Sequence, residues 1–396
     1  MSKILQKYLR FWTKIYLKRA KPKIIAVTGS ISKTSTKEAI FEVLKIKFGK
    51  NVRKSFGNLN NETGVPLSVF GFEKSPSKSY QWLPIILKVK IRALFGEKIE
   101  VLVLEMAADK PGDIKYLTDF IRPDIACITS VGPAHLAAFE SLEKIVQEKT
   151  DLVRALPNDG WAVLNVDDEN LKKSSYGGRW QTLTYAITEK ADIVAKNITT
   201  EINKFQSQTL FQVSHEELKF RAIIPTLGRV WNVYSSLAAI AVGIIFEMTP
   251  TEINEGLENI KTEKHRMEVK KGKKNALLID DSYNANPLSM KAALDVLDFL
   301  PKPLTGGKKI AVLGDMLEIG KTSEKEHELI GKYAKKVAQE VVAVGEHAKK
   351  YQGNKYYQKP EEAADYLLGN LQENDIILVK ASRAIGLEKI VESLEE

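Results

Sequence analysis

The sequence predicts an α/β protein with two sheets, mostly parallel and flanked by helices. From Pro22 onward, short apolar β-rich runs alternate with segments of helical periodicity, which is typical of parallel strands joined by crossover helices. The runs form two series, with strands expected at 23–28, 99–105, 124–130 and 161–165, and then at 276–281, 309–315, 341–345 and 375–382. Between the two series, residues from about 180 to 224 predict a small antiparallel section, and a helix is expected from about 231.

The two strand series predict a domain boundary near "KTEKHRME", residues 261–268. We expect an N-terminal helix over 1–21, a central α/β domain over 22–262 and a C-terminal α/β domain over 263–396. A chain of 396 residues with 44% apolar residues is long enough to bury a core in each domain.

The N-terminal segment predicts a basic amphipathic helix. Lysine or arginine recurs every three or four residues, which excludes the uninterrupted apolar core of a signal peptide or spanning helix. Apolar residues recur at helical spacing opposite these charges, at Ile4, Leu5, Tyr8, Leu9, Trp12, Ile15 and Tyr16. The helix is expected either to pack on its own protein or to lie on an anionic membrane. Residues 80–98 have a similar character, so the two segments could form one basic, apolar surface.

Charge and cysteine content restrict the function only broadly. The excess of 59 Lys and Arg over 50 Asp and Glu gives a net charge of +9, which suits phosphorylated small molecules, an anionic membrane or nucleic acid. The single cysteine, Cys127, excludes an internal disulfide and predicts a small core residue in a reducing, cytoplasmic compartment.

The stretch "KIIAVTGSISKTSTKEAI", residues 23–40, predicts a phosphate-binding loop between a strand and a helix. In such a loop, backbone N–H groups and the helix N-terminus hold phosphate, a lysine neutralises the β- and γ-oxygens, and a hydroxyl meets magnesium. The alternative is an ordinary surface helix that begins with lysine and threonine. The nucleotide-binding candidates are Gly29, Ser30, Ser32, Lys33, Thr34 and Ser35.

Two further residues are expected at the same sheet edge. Glu105 ends one predicted strand and His135 follows another, and the carboxyl ends of parallel strands are where doubly wound sheets bind ligands. Either residue alone could simply cap a loop. Together with the Thr34 hydroxyl they predict a polar site.

Eight motifs in a fixed order resemble the Mur ligase family over about residues 22–396, and within it the enzymes that add D-alanyl-D-alanine. They are "TGSISKTSTK", "GNLNNETGVPLSV", "LEMAADKPGDI", "ITSVGPAHLAAFESLEKI", "HRMEVKKG", "IDDSYNANPLSM", "VLGDMLEIG" and "LVKASRAIG". "DDSYNANP" and "NNETGVP" are long and unusual in composition, which makes the resemblance specific.

The resemblance implies a P-loop NTPase-like central domain, a Rossmann-like C-terminal domain and ATP-dependent amide ligation. The γ-phosphate of ATP would activate a substrate carboxylate, and an amine would then attack the acyl phosphate. The implied substrates are UDP-N-acetylmuramoyl-tripeptide and D-alanyl-D-alanine, with ATP and two Mg²⁺ ions as cofactors. The resemblance further implies a cytoplasmic monomer that binds no nucleic acid.

The resemblance also assigns roles in the central domain. Lys33, His135 and Lys149 are the implied catalytic residues. Thr34, Glu105, His135 and Lys149 are the implied metal ligands, with Lys149 carbamylated to hold a second magnesium. A plain, solvated helix lysine is the alternative for Lys149.

The remaining implied site residues bind substrates or nucleotide. Asn60, Asn61 and Glu62 match the substrate-loop motif, although an asparagine before glutamate also suits a helix cap. Asn232 is implied at the adenine, Arg266 at the phosphates and Asp281 at the ribose, while Tyr283, Asn284 and Asn286 would line the same cleft. Ser382 and Arg383 would bind the carboxylate of the acceptor dipeptide or form an ordinary surface pair.

The sequence departs from the family pattern at several places. Ser32 replaces a loop glycine, which costs about 1 kcal/mol if φ is positive there. Ser235 replaces an asparagine expected at the adenine, where Trp231 could stack instead. Only about 21 residues precede the central domain, where the family has a UDP-binding domain. These departures leave open a related ligase like the folylpolyglutamate or cyanophycin synthetases, or a non-catalytic nucleotide-binding regulator.

Overall fold

The computed structural model describes residues 3–57, 59–132, 136–173, 178–203, 205–227, 230–262, 264–303, 306–317 and 319–396. Two sheets organise this part of the chain. The first contains β1 (Lys23–Thr28), β2 (Val52–Lys54), β3 (Val101–Glu105), β4 (Ile125–Ile128), β5 (Trp161–Asn165), β6 (Gln181–Ala186), β7 (Ile193–Asn203), β8 (Gln206–His215) and β9 (Leu218–Ile224). The second contains β10 (Glu268–Lys271), β11 (Leu277–Asp280), β12 (Lys309–Gly314), β13 (Glu340–Val344), β14 (Lys355–Tyr357) and β15 (Ile376–Lys380).

Helices connect and cover these strands. Those in the first half are α1 (Lys3–Ala20), α2 (Lys33–Phe48), α3 (Gly64–Val69), α4 (Trp82–Phe95), α5 (Asp113–Thr118), α6 (Leu136–Phe139), α7 (Leu142–Arg154), α8 (Glu169–Lys172), α9 (Trp231–Ile245) and α10 (Pro250–Glu258). The second half contributes α11 (Pro287–Phe299), α12 (Ser323–Val337), α13 (Pro360–Asn370) and α14 (Glu388–Leu394). Short 3₁₀ segments lie at Gly49–Asn51, Ser79–Gln81, Lys273–Asn275, Gly320–Thr322, His347–Tyr351 and Arg383–Ile385.

The first sheet has the strand order β2-β3-β1-β4-β5-β6-β7-β8-β9. Pairing is parallel from β2 to β7 and antiparallel only between β7, β8 and β9. The expectation that the whole region from 180 to 224 is antiparallel is therefore wrong for β6. Only the last two residues of β6 pair with the first two residues of β7, and the pairing is parallel. The chain therefore moves to the neighbouring strand position without reversing its direction. An alternating sequence cannot distinguish that arrangement from a hairpin.

Strands β1, β3, β4 and β5 of the first sheet are almost entirely buried because helices cover both faces of the sheet there. Along β1, Ile24 and Ala26 lie in a cluster with α1, α3 and α7, whereas Ile25 and Val27 lie in a cluster with α2 and α9. Successive side chains of a strand point to opposite faces, so a strand buried on both faces has an unbroken apolar run. Cys127 of β4 lies in the second cluster, where burial raises the pKa of its thiol.

Helix α1 packs on the protein, which was one of the two arrangements expected from the sequence. Leu9, Thr13 and Tyr16 are buried, and the Tyr16 hydroxyl donates to the Glu97 carbonyl at 2.9 Å. In the described part of the chain, we find no helix with the length and apolar character needed to cross a bilayer.

The second sheet has the order β10-β11-β15-β12-β13-β14, parallel except for β10 at one edge. Apolar clusters cover both of its faces. The fold is therefore α/β, with a large mostly parallel sheet followed by a second sheet. The exact domain limits of 1–21, 22–262 and 263–396 stay a prediction.

Candidate active site

A cavity of about 440 Å³ lies between the two halves of the chain, and its volume is within the usual range for small-molecule sites. Side chains and backbone from both halves of the chain line it. Among the sequence-predicted residues these are Ser30, Ser32, Lys33, Thr34, Ser35, Asn60, Asn61, Glu105, Asn232, Arg266, Asp281, Tyr283, Asn284 and Asn286. His135, predicted as a catalytic and metal-binding residue, lies outside the described residues.

The loop between β1 and α2 forms one wall of the cavity. Gly29 passes so close to the residue that follows β4 that a Cβ there would lie 1.9 Å from Thr129 Oγ1, and only glycine fits. The Ser30 hydroxyl donates to the Gly132 carbonyl at 3.0 Å and accepts from the Gly132 N–H at 2.9 Å. These contacts hold a loop that opens directly onto the N-terminus of α2, the position that favours phosphate.

Ser32 has a left-handed backbone, with φ 61° and ψ 11°. Such a conformation is unfavourable for a residue with a Cβ and free of cost for glycine, which explains why glycine suits this position. This backbone strain is present before any ligand binds, so it lowers the stability of the folded loop. The Ser32 side chain lines the cavity, so crowding by it would instead lower the affinity for a ligand.

We expect Ser32→Gly to tighten ATP binding by a few-fold up to roughly tenfold, equivalent to about 1 kcal/mol of relieved crowding. Its effect on the free energy of unfolding should be small, because relief of the left-handed strain is offset by the entropy of glycine in the unfolded chain. Calorimetric titration of ATP in magnesium and thermal unfolding measure the two effects.

Ser32→Ala is the matched control, since it keeps the Cβ and removes only the hydroxyl. It should bind ATP like the parent if the Cβ is what crowds the ligand. Weaker binding by Ser32→Ala and no gain from Ser32→Gly would instead mean that the hydroxyl donates to phosphate.

Two lysine amines meet at one backbone carbonyl of this loop. Lys33 Nζ donates to the Gly29 oxygen at 2.8 Å and Lys149 Nζ donates to the same oxygen at 3.1 Å. Lys149, on α7, is only 3% exposed, so it is not a solvated helix lysine. Its burial, and next the positive charge of Lys33, lower its pKa to about 7. A substantial fraction of this amine is therefore neutral near pH 7.

An arginine of the second half spans the cleft to the start of α2. Thr34, in the first turn of α2, is nearly buried, and its Oγ1 accepts from Arg266 Nη2 at 3.3 Å. The Arg266 guanidinium lies 4.1 Å from the centre of the Tyr283 ring. This stacking orients the cation toward the loop.

Glu105 lies beside this loop because β3 pairs with β1, where Val27 is opposite Glu105. Glu105 is 2% exposed, and its Oε1 accepts from Asn60 Nδ2 at 3.0 Å. Oε2 is buried and has no hydrogen-bond partner among the described residues. A buried carboxylate oxygen without a partner is costly, and together with the Thr34 hydroxyl it offers the oxygen ligands that Mg²⁺ prefers. The residues present therefore fit a magnesium ion.

The three substrate-loop candidates have different surroundings. Asn60 faces Glu105, while Asn61 Oδ1 accepts from the Gly64 N–H at 2.9 Å and so caps the start of α3, as the alternative interpretation expected. Glu62 accepts from Lys110 at 2.8 Å, and this hydrogen bond lowers the pKa of its carboxyl. Asn60 and Asn61 line the cavity, and Glu62 lies outside its lining.

A buried lysine organises the wall from the second half. Lys380 Nζ donates to Asp281 Oδ2 at 2.6 Å and to the Asn284 carbonyl at 2.8 Å. Asp281 Oδ1 accepts from the Met267 N–H at 3.1 Å, and burial raises the pKa of this carboxyl despite the neighbouring Lys380. The sequence analysis missed Lys380. Its signal is the single charge at the end of the apolar strand "IILVK", where the carboxyl edge of the sheet begins.

Tyr283, Asn284 and Asn286 line the cavity as expected. Asn286 also caps α11, because its Oδ1 accepts from the Ser289 N–H at 2.9 Å. Ser382 and Arg383 are outside the cavity lining. Ser382 is buried and its hydroxyl accepts from the Leu317 N–H at 3.0 Å, while the exposed Arg383 guanidinium lies 5.8 Å from the Tyr283 ring.

Helix α9 brings its first turn to the cavity. Trp231 and Asn232 line it, and Asn232 Nδ2 donates to the Leu227 carbonyl at 2.7 Å. Ser235, which stands where the family pattern has asparagine, is buried and accepts a hydrogen bond of 3.0 Å from Thr36 of α2. Ser235 therefore joins two helices. Of the two α9 residues that line the cavity, Trp231 offers the larger surface on which a nucleotide base could stack.

Comparison with known families gives two matches that together cover most of the chain. The family described as "Mur ligase middle domain" matches residues 27–243. The family described as "Mur ligase, glutamate ligase domain" matches residues 265–383.

Individual relatives agree with these matches. The UDP-N-acetylmuramoyl-tripeptide–D-alanyl-D-alanine ligase of Bacillus subtilis is 33% identical, over 97% of this chain and 78% of its own length. The Escherichia coli ligase of the same name is 30% identical, over 94% of this chain and 77% of its own length. The crystal structure of MurF ligase from Thermotoga maritima in complex with ADP superposes with a TM-score of 0.83 at 28% identity, over 99% of this chain and 84% of that one. The chain belongs to the Mur ligase family, in its MurF branch.

Proposed function

We propose that this chain is an ATP-dependent ligase that adds D-alanyl-D-alanine to UDP-N-acetylmuramoyl-tripeptide during peptidoglycan precursor synthesis. The observation that carries the proposal is one cleft that holds a phosphate loop, an arginine from the second half and a buried carboxylate oxygen without a hydrogen-bond partner among the described residues. Such a cleft suits the transfer of phosphate from a nucleotide to a second substrate.

The chemistry explains why a peptide ligase needs such a cleft. A carboxylate is a poor electrophile, so one of its oxygens attacks the γ-phosphorus of ATP and ADP leaves. The amine of the dipeptide then attacks the acyl carbon, loses a proton and expels phosphate, which carries one of the original carboxylate oxygens. The protein contributes mainly position and charge in both steps.

We assign the charge-neutralising work to residues of both halves. Lys33, the N-terminus of α2 and Arg266 would hold the β- and γ-phosphates, since they surround the loop. Thr34 and Glu105 would hold magnesium, which offsets the negative charge of the phosphates when bound. Asn232 and Trp231 would receive the base and Asp281 the ribose, because they line the same cavity.

A second magnesium requires an additional anion, and Lys149 is our candidate for it. A neutral amine reacts with carbon dioxide to give a carbamate, and the buried Lys149 amine, with its pKa lowered to about 7, has the required neutral fraction. As a carbamate it would be a ligand, whereas a protonated amine would repel the metal. A metal-binding and catalytic role for His135 stays a prediction.

The substrates would occupy the rest of the cleft. Asn60 and Asn61 would contact the muramoyl peptide, with Glu62 beside them. Tyr283, Asn284 and Asn286 would line the reacting groups, and the exposed Arg383, with Ser382, would bind the terminal carboxylate of the dipeptide. All of these residues belong to one chain, so we propose that a monomer is active, in the cytoplasm where ATP is available. Independently of the ligase activity, we propose that residues 1–21 contact an anionic membrane.

Phosphate release from ATP tests the proposal. UDP-muramoyl-tripeptide and D-alanyl-D-alanine should give release together, and neither should do so alone. Release with another acid and amine, and none with this pair, would assign a different ligase of the superfamily. ATP binding without release from any pair would favour a nucleotide-binding regulator.

A further inference from the structure

Helices α1 and α4 lie side by side and run in the same direction. The Tyr8 hydroxyl donates to the Ile86 carbonyl at 2.9 Å, and the Tyr16 hydroxyl donates to the Glu97 carbonyl at 2.9 Å. Between these contacts, Lys90 Nζ lies 6.0 Å from the Trp12 ring. In these contacts the residue number on one helix increases with the residue number on the other, as expected for two parallel helices.

Both helices bury the side that faces the first sheet. Leu9 and Tyr16 of α1 and Val89 and Ala93 of α4 belong to one apolar cluster with the sheet. Because the helices are parallel and their buried sides point the same way, their exposed sides also point the same way. They form one outward surface, which we call the two-helix face.

The two-helix face concentrates the exposed apolar side chains of the protein. Of the eleven large apolar residues that are exposed in the described part of the chain, seven belong to this face, and Tyr80 lies in the 3₁₀ segment just before α4. The seven are Ile4, Phe11, Leu83, Leu87, Ile91, Leu94 and Phe95, with Phe95 81% and Leu83 75% exposed. Contiguous apolar exposure of this kind marks an interaction site, whereas single exposed residues do not.

The charge of the face is positive throughout. Helix α1 carries six Lys and Arg and α4 carries three, and neither contains Asp or Glu. Lys7, Lys14 and Lys18 are exposed on α1, and Lys88 and Lys90 are exposed on α4. Apolar side chains interspersed with lysines and free of carboxylates are the composition of helices that lie in a membrane interface.

We propose that the two-helix face binds an anionic lipid surface. The apolar side chains of α4 enter the boundary between headgroups and acyl chains, and the surrounding lysines contact lipid phosphates. A second copy of this chain suits the face less well, because a two-fold contact would place lysines against lysines. The inference extends the proposed membrane contact of residues 1–21 to a surface formed by both helices, and it does not depend on the proposed ligase.

Bound in this way, the protein would hold its substrate loop near the lipid. Helix α3 directly follows the loop with Asn60 and Asn61 and packs against α1, where Phe70 meets the Tyr16 ring at 5.6 Å. The loop and the two-helix face therefore share one side of the first sheet.

Sedimentation of the full chain with vesicles tests the proposal. The parent should sediment with vesicles of phosphatidylcholine containing roughly one third phosphatidylglycerol, and not with phosphatidylcholine alone. Raising the salt from about 0.05 M to about 0.5 M should weaken the binding, because the lysine contribution is screened. Absence of binding to the anionic vesicles at low salt would overturn the proposal.

Two pairs of substitutions locate the binding surface. Leu87→Ser with Ile91→Ser should lower the vesicle partition coefficient roughly tenfold or more, because it removes two of the inserted side chains. Leu329→Ser is the control, since Leu329 is a comparably exposed residue (48%) on α12, outside the face. Equal loss in the control and in the double variant would contradict a specific face.

Lys14→Glu with Lys18→Glu should also lower the vesicle partition coefficient roughly tenfold or more. Each lysine near an anionic surface contributes about 1 kcal/mol to binding, and the double variant reverses two of these charges. Lys332→Glu with Lys335→Glu on α12 makes the same change of charge elsewhere and should bind nearly like the parent. All variants should unfold at the parent's temperature and release phosphate in solution at the parent's rate. A concentration-dependent dimer that Leu87→Ser abolishes would assign the face to a second copy and overturn the proposal.

Discussion

Glu105→Gln should lower turnover by more than 100-fold while leaving the protein folded. The amide keeps the shape of the carboxylate and can still accept from Asn60, but it removes the anionic oxygen that we assign to magnesium. Changes to groups that merely support a metal ligand typically cost about 10–100-fold, so loss of a ligand should cost more. Phosphate release at several magnesium concentrations and thermal unfolding without magnesium measure the two effects.

Glu100→Ala is the control for this result. Glu100 is exposed and immediately precedes β3, so it lies at the other end of this strand from Glu105. Its loss should change neither turnover nor stability appreciably. Near-parental turnover of Glu105→Gln would remove the metal role, and unfolding of that variant would make Glu105 a structural residue.

Lys149→Ala should be inactive and partly rescued by short carboxylates such as formate, acetate or propionate. A carbamate is a carboxylate-like anion, and the alanine leaves room for a small acid to take its place. In the parent, the requirement for added bicarbonate should be greater at pH 6 than at pH 8. The reason is that the neutral fraction of an amine with a pKa of about 7 falls as the pH is lowered below that value.

Lys33→Ala is the matched control for rescue. Its amine donates to the same Gly29 carbonyl, but its proposed role is to supply a positive charge to phosphate. It should be inactive and gain nothing from carboxylates. Rescue of both variants, or of neither, would contradict a carbamate at Lys149.

The buried strands were predictable because burial on both faces requires an unbroken run of apolar residues in the sequence. β1, β5 and β12 are covered on both faces, and their apolar runs define them almost to the residue. β2 and β14 were missed because each has only three residues and includes lysine or arginine. The direction of β6 was wrong because direction depends on how the chain returns to the sheet, which alternation does not record.

The site was predictable where side-chain chemistry and position along a strand coincide. The loop residues and Glu105 follow strands that end at one sheet edge, so their convergence could be expected. Contacts between the two halves do not follow from strand position. The family resemblance placed Arg266 at the phosphates, but its contact with Thr34 depends on how the two halves pack. The sequence offered a cap as one of two interpretations of Asn61, because the capped N–H lies only three residues away. It does not reveal that Ser235 links two helices, because its partner Thr36 is distant in the chain.

Oxygen transfer from the carboxylate to phosphate distinguishes activation of the carboxylate from hydrolysis of ATP by water. UDP-muramoyl-tripeptide labelled with oxygen-18 in both oxygens of its reacting carboxylate would be incubated with ATP and D-alanyl-D-alanine in unlabelled water. Mass spectrometry of the products should find one labelled oxygen in each released phosphate and one in each new amide, because the acyl phosphate takes its bridging oxygen from the carboxylate. Phosphate without label, formed at the same rate as the amide or in its absence, would show that ATP is hydrolysed by water and would contradict carboxylate activation by this site.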